Sequence, residues 1–260
     1  MLLVVDVGNT NIVIGAMEEA EVVERWRIST VVRTTDEMGL LLLQLIERRG
    51  ISAQQLHGVA ISCVVPSVLY AIEKASKRYL GLDAIVVSKG IKTGMKVCTD
   101  NPREVGADRI VNAVAAFEHY RRAAVVVDFG TATTLDCVTS KGDYIGGAIA
   151  PGFQISADAL FSKTAKLPKV EVFRTDKVIG TNTIQSMQAG MYWGYVGLVE
   201  ALACRCKQEM LEKHNEKNVI CIATGGLSSL LGQDCSAIDA IDGDLTLKGL
   251  WILFERNKLA

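Results

Sequence analysis

One phrase occurs twice in the chain, and it narrows the possible folds more than any other feature. Val4-Val5-Asp6-Val7-Gly8-Asn9-Thr10-Asn11-Ile12 aligns with Val126-Val127-Asp128-Phe129-Gly130-Thr131-Ala132-Thr133-Thr134, at an offset of 122 residues in a chain of 260. Each copy reads as an apolar strand, an acid, a glycine, small polar residues and a second strand. The order of elements repeats with the phrase. Hydrophobic periodicity predicts strands at Leu2 to Val7, Asn11 to Ala16 and Glu21 to Ile28. Thr35-Asp36-Glu37 then opens a helix over Met38 to Arg49, which Gly50 closes. A strand at His57 to Cys63, a helix from Pro66 to Leu80, a strand at Ala84 to Val87 and a mostly helical Pro102 to Tyr120 complete the first pass. The second pass has strands at Ala123 to Asp128, Thr133 to Thr139 and Tyr144 to Ile149, then helices over Phe153 to Phe161 and Ile184 to Lys213. It ends with a strand at Val219 to Ala223, a short helix at Leu227 to Leu231, a strand at Ala237 to Ile241 and a helix near Leu247 to Arg256.

Three strands, a helix, then alternating strands and helices, twice over, resembles the layout of the actin-like and sugar-kinase-like ATPases. The expected fold class is therefore α/β, a duplicated ribonuclease-H-like ATPase fold with two facing domains. The expected halves are residues 1–118, with the first loop phrase and the Asp108 helix, and residues 119–260, with the second loop phrase and Thr224-Gly225-Gly226. Hydrophobic residues make up 49% and charged residues 22%, enough apolar material for a core, which excludes a disordered chain. A net charge of −1 excludes nucleic-acid binding by bulk charge. The apolar start meets Asp6 at once and lacks the features of a signal peptide. The run Leu40 to Ile46 is interrupted by Gln44 and is far short of a membrane span. Seven cysteines, odd in number and irregular in spacing, suit a reduced, cytoplasmic protein. Cys204-x-Cys206 has no neighbouring ligands that would complete a zinc site.

The chemistry concentrates in four places. In Asp6-Val7-Gly8-Asn9-Thr10-Asn11, an acid at a strand's carboxyl end meets a glycine turn whose amides and polar side chains can face an anion. A carboxylate beside phosphates holds magnesium, usually through water. A plain Gly/Asn β-turn would look the same in one copy; the second copy at Asp128 favours phosphate binding. The hydroxyls after Asp128 suit terminal phosphates, and Thr224-Gly225-Gly226 offers bare backbone to a purine or ribose. Asp108-Arg109 lies early in a helix. Its acid is either a partner of the helix dipole or a base for hydroxyl phosphorylation beside a guanidinium. The stripe Met187, Met191, Tyr192, Tyr195, Leu198, Val199, Leu202 has helical spacing and reads as core or subunit interface.

These residues together resemble the type III pantothenate kinases. The matching pieces are the two loops, Asn101 to Arg109, Gly146 to Gly152, Gly180-Thr181-Asn182-Thr183 with Ser186 to Gly190, and Thr224 to Leu227. The resemblance implies phosphorylation of pantothenate by ATP to 4′-phosphopantothenate, the first step of coenzyme A biosynthesis. It implies that Asp6, Val7, Gly8, Asn9, Thr10, Asn11, Ile12 and Val13 bind ATP, with Asp6 holding Mg2+ through water, and that Thr131 also contacts ATP. It implies Asp108 as proton acceptor and Gly106, Ala107, Asp108, Arg109 and Thr183 around pantothenate, Thr183 coming from the partner of a homodimer. Asp128 would bind a monovalent cation, K+ or NH4+. The family usually carries a Tyr nine residues before the catalytic Asp, where this chain has Thr99. Two other readings compete: a nucleotide-binding regulator on the same fold, which needs no base, and an ATPase that transfers phosphoryl to water.

Overall fold

The computed structural model describes residues 1–88, 90–164 and 166–258; Lys89, Ala165, Leu259 and Ala260 lie outside the description. The described chain divides into two compact units. The first contains Met1–Met95, Asp100–Ala115 and the segment from Asp244 onward; the second contains Lys96–Thr99 and Ala116–Gly243.

In the first unit β1 (Leu2–Val7), β2 (Asn11–Glu18), β3 (Glu21–Ser29), β4 (Gly58–Cys63) and β5 (Ala84–Val86) form a sheet in the order β3-β2-β1-β4-β5. β1 is antiparallel to β2 and parallel to β4, so it is covered on both sides and runs apolar almost throughout. Leu3, Val5 and Val7 face α1 (Thr35–Glu47) and α2 (Pro66–Ala75), whose Met38, Leu42, Ile46, Val68 and Ile72 complete one core. Each such side chain contributes roughly 1.5–3 kcal/mol on burial. α1 starts on a reciprocal cap: Glu37 N–H donates to the Thr34 hydroxyl and Thr34 N–H to the Glu37 carboxylate.

The second unit repeats the plan. Its strands are β6 (Lys96–Val97), β7 (Ala123–Phe129), β8 (Ala132–Val138), β9 (Asp143–Pro151), β10 (Val219–Gly225) and β11 (Ala240–Ile241), in the order β11-β10-β7-β8-β9-β6. Read from the other edge, β9-β8-β7-β10-β11 has the connectivity of β3-β2-β1-β4-β5, with β6 added outside. In sequence α3 (Ala107–Tyr120) follows β6 and precedes β7; the second unit also carries α4 (Phe153–Ser162), α5 (Thr183–Lys213) and α6 (Ser228–Leu231). Tyr192, Tyr195, Val199 and Ala203 of α5 pack on Val125, Val127 and Phe129 of β7.

Three details differ from, or narrow, the reading of the sequence. The boundary falls at Ala115/Ala116, not after residue 118, and the last helix leaves the second half altogether. That helix, α7 (Leu245–Asn257), packs on β1, β2, β3 and β4, with the Phe254 ring beside Gly58, because those strands still have an apolar face to cover. Thr246 ties it to α3 through a 2.7 Å hydrogen bond to Asn112. The stripe on α5 is core: Tyr192 is 0% and Tyr195 5% exposed, and Leu198 and Leu202 pack against the same cluster. It therefore presents no aromatic surface to a partner. Finally, β6 carries no periodic signal and forms by pairing Lys96 with Asp143 and Val97 with Tyr144.

Candidate functional site

In the first unit Asp6 is the penultimate residue of β1, and the chain turns through Gly8, Asn9 and Thr10 into β2. The turn closes with Gly8 N–H donating to the Asn11 carbonyl at 3.0 Å. Thr30, just past β3, braces it twice: its N–H donates to the Thr10 carbonyl and its hydroxyl to the Gly8 carbonyl at 2.7 Å. Nothing in the sequence pattern pointed to Thr30. Asn9 and Thr10 are exposed, and Asp6, Asn11 and Val13 are half-buried. Val7 and Ile12, expected among the ATP-binding residues, point their side chains into the core, so only their backbone groups can meet a ligand.

The Asp108 stretch belongs to the same unit. Asn101 opens a single turn at Pro102–Glu104, the chain breaks at Val105-Gly106, and α3 begins at Ala107. Asp108 thus sits in the first turn, its Oδ1 accepting the Arg109 N–H at 2.8 Å. A Cβ on Gly106 would lie 2.5 Å from that oxygen, so a residue without one is required for the carboxylate to fold back there. Burial pushes the Asp108 carboxyl above the usual aspartate range, against the opposing pull of the Arg109 N–H and guanidinium.

In the second unit Asp128 is the penultimate residue of β7, and the turn into β8 is shorter, Gly130 and Thr131. Gly130 N–H donates to the Ala132 carbonyl at 3.1 Å. Gly225 has φ +90°, and a Cβ there would meet Asp128 Oδ1 at 2.4 Å; bare backbone of β10 thus lies against the acid. The threonines that follow divide their work. Thr133 and Tyr195 bond through their hydroxyls at 2.7 Å, and Thr134 donates to Asp136 at 3.2 Å. Those two hydroxyls serve the fold; Thr131 lies half-buried on the loop itself. Thr183 is the first residue of α5, capped by Asn182, and borders a cavity of about 700 Å³ with Leu160, Leu167, Ser186 and Met191. Thr99 lies against Gly146 of β9.

The residues present fit hydrated cations. Each acid is a half-buried carboxylate at a strand end, and beside each a buried hydroxyl, Ser62 or Thr224, has no hydrogen-bond partner among the described residues. Oxygen donors of this kind suit hard cations.

Comparison with known proteins finds relatives over the whole chain. Residues 2–205 match the family described as type III pantothenate kinase. The chain is 52% identical over 260 residues to a type III pantothenate kinase of Syntrophobacter fumaroxidans, covering 99% of each chain. It is 51% identical over 259 residues to one of Geobacter sulfurreducens, covering 99% of this chain and 100% of the relative. Among solved structures, a Baf-family protein of Campylobacter jejuni matches with a TM-score of 0.58 at 17% identity, covering 99% of this chain and 100% of that one. The activator of 2-hydroxyisocaproyl-CoA dehydratase from Clostridium difficile, with bound ADPNP, matches with a TM-score of 0.52 at 12% identity, covering 99% and 96%. At such identities these two structures speak for the fold alone, the actin-like and sugar-kinase-like ATPase fold expected from the element order.

Proposed function

The chain belongs to the type III pantothenate kinase family, and from that premise we propose that Asp108 is the base of its reaction. The enzyme is a phosphotransferase with ATP as co-substrate, converting pantothenate to 4′-phosphopantothenate at the entry to coenzyme A biosynthesis. In the step, the pantothenate O–H gives its proton to Asp108, the oxygen forms a bond to the γ-phosphorus, and the bond to the β-phosphate oxygen breaks to release ADP. The observation that carries the assignment of the base is the Asp108 carboxylate itself, desolvated, in the first turn of α3, with Gly106 leaving it room. A regulator that only binds nucleotide has no use for such a group.

The other roles follow from chemistry. Arg109, next to the base, suits the pantothenate carboxylate through a charge-assisted hydrogen bond. The turn from Gly8 to Asn11 and Thr131 receive phosphate oxygens, and Thr224-Gly225-Gly226 the adenosine. Asp6 would hold Mg2+ through water and Asp128 K+ or NH4+; when bound, these ions offset phosphate charge. Thr183 meets pantothenate from the second copy of a homodimer. On α5, Gly190, Gly194, Gly197 and Ala201 are exposed, and such small residues let another helix approach closely. We place the protein in the cytoplasm; among the described residues no helix is long and apolar enough to cross a membrane.

A coupled assay of ADP release tests the reading. ADP should appear only when pantothenate, ATP, Mg2+ and K+ are all present, and should fall when Na+ replaces K+. Release that ignores pantothenate would identify an ATPase instead, and equal rates in sodium would remove the selective cation site from Asp128.

A further inference from the structure

Six serine and threonine residues are buried among the described residues: Ser62, Ser76, Thr133, Thr139, Thr224 and Ser228. Four have evident work. Ser76 donates to the Leu82 carbonyl at 2.7 Å and Ser228 to the Gly225 carbonyl at 2.8 Å. Thr133 bonds Tyr195, and Thr139 accepts the N–H groups of Lys141 and Asp143. The exceptions are Ser62, 0% exposed, and Thr224, 1% exposed, whose hydroxyl oxygens have no hydrogen-bond partner among the described residues. A buried hydroxyl left in that state lowers stability, so two of them require a reason.

Their positions supply it. Ser62 is penultimate in β4 and pairs in register with Asp6, penultimate in β1. Thr224 is penultimate in β10 and pairs in register with Asp128, penultimate in β7. Residues in register on parallel strands lie about 4.8 Å apart and point to one face. Val5, Val7 and Ile61 fill the core on one side of the first sheet, so Asp6 and Ser62 share the other. Val127, Phe129 and Ala223 do the same in the second sheet, leaving Asp128 beside Thr224. The acids are half-buried and the hydroxyls lie wholly beneath the surface. Fifty-six residues separate Asp6 from Ser62 and 96 separate Asp128 from Thr224, so no constant offset in the sequence brings the two hydroxyls into line.

We propose that Ser62 and Thr224 are positioning residues, each anchoring a water of a bound cation or phosphate against the neighbouring acid of its own unit. The cost that each hydroxyl imposes on the free protein is recovered when the nucleotide binds. This rests on the assignment of the Asp6 and Asp128 loops to nucleotide and cations, and the experiment separates the two claims.

Binding of a non-hydrolysable ATP analogue in Mg2+ and K+ would be measured by calorimetry for Ser62→Ala, Thr224→Val, Thr224→Ser and Asp6→Asn, with melting of each protein in the absence of nucleotide. Ser62→Ala and Thr224→Val should melt no lower than the parent yet bind about tenfold more weakly, the scale of one hydrogen bond to a charged cluster. Thr224→Ser, which keeps the hydroxyl, should bind like the parent. In turnover the loss should appear in KM for ATP, with kcat little changed. Undiminished affinity in Ser62→Ala and Thr224→Val, with Asp6→Asn weakened, overturns the proposal alone. So does a lower melting temperature in both, with Thr224→Ser binding as weakly as Thr224→Val, since packing would then be their role. Undiminished affinity in Asp6→Asn overturns the assignment of the loop and the proposal with it.

Discussion

The two units share a sheet order, an acid near the end of the first strand and a buried hydroxyl beside it, yet they surround the acid differently. In the first unit the register partner of Asp6 on the antiparallel strand is Val13, and two residues on is Gly15. In the second, Asp128 faces Thr134, and two residues on is the fully buried Asp136, bonded to the Tyr144 hydroxyl at 2.7 Å. The first unit instead has the longer turn, three residues against two, and the Asp108 segment with its raised carboxyl. The repeated plan thus carries a raised carboxyl in one unit and an internal polar ladder in the other. The difference teaches that a repeated phrase need not mean a repeated role.

The strongest way to break this comparison is Asp108→Asn. Turnover should fall 10²–10⁴-fold, about the worth of a general base, while binding of the ATP analogue changes little. Equal losses in binding and turnover would erase the distinction. The same variant has a stability signature. A carboxyl whose folded pKa is raised stabilises the fold below its unfolded value, and that contribution is lost as pH rises through the folded value. At neutral pH the uncharged Asn should therefore melt higher than the parent. In the parent, the acid limb of kcat/KM should lie above the ordinary aspartate value of 3.8.

The next test is on the second unit. Tyr144→Phe removes a donor from buried Asp136 and should cost about 1–3 kcal/mol. Because the two cores are separate clusters, hydrogen exchange should quicken in β7, β8 and β9 and stay unchanged in β1, β2 and β3. Matched quickening in both would show that the units open together. The smallest effect is expected from Thr34→Ala, which removes one side of the α1 cap and should cost about 1 kcal/mol, read as faster exchange in the first turn of α1. No change there would mean that tertiary packing, not the cap, fixes the start of that helix.

Much of this was legible in the sequence, for physical reasons that differ by element. Strands buried on both faces, such as β1 and β7, cannot avoid an apolar run, and an acid interrupting the run marks its exposed end. The start of α3 was blurred because Pro102–Glu104 and Ala107–Tyr120 are both helical and only Val105 and Gly106 separate them. Ser62 gave no signal, and Thr224 stood out only with the glycines that follow it, since a hydroxyl at the end of an apolar strand looks like any other strand residue until its register partner is known. Thr133 and Thr134 misled in the opposite sense. They are in the loop phrase, but Tyr195 and Asp136, distant or buried, claim their hydroxyls. The return of α7 to the first sheet was hidden because an amphipathic helix does not encode which sheet it will cover.

That return has a consequence for how the protein is made. Strands β1 to β5 leave the ribosome long before α7, and the whole second unit is synthesised in between. The face of the first sheet that Phe254 and Leu247 will cover must wait, exposed, through that interval. The second unit, contiguous from Ala116 to Gly243 apart from its four-residue edge segment, can consolidate first. The half of the molecule translated earliest is therefore the half completed last.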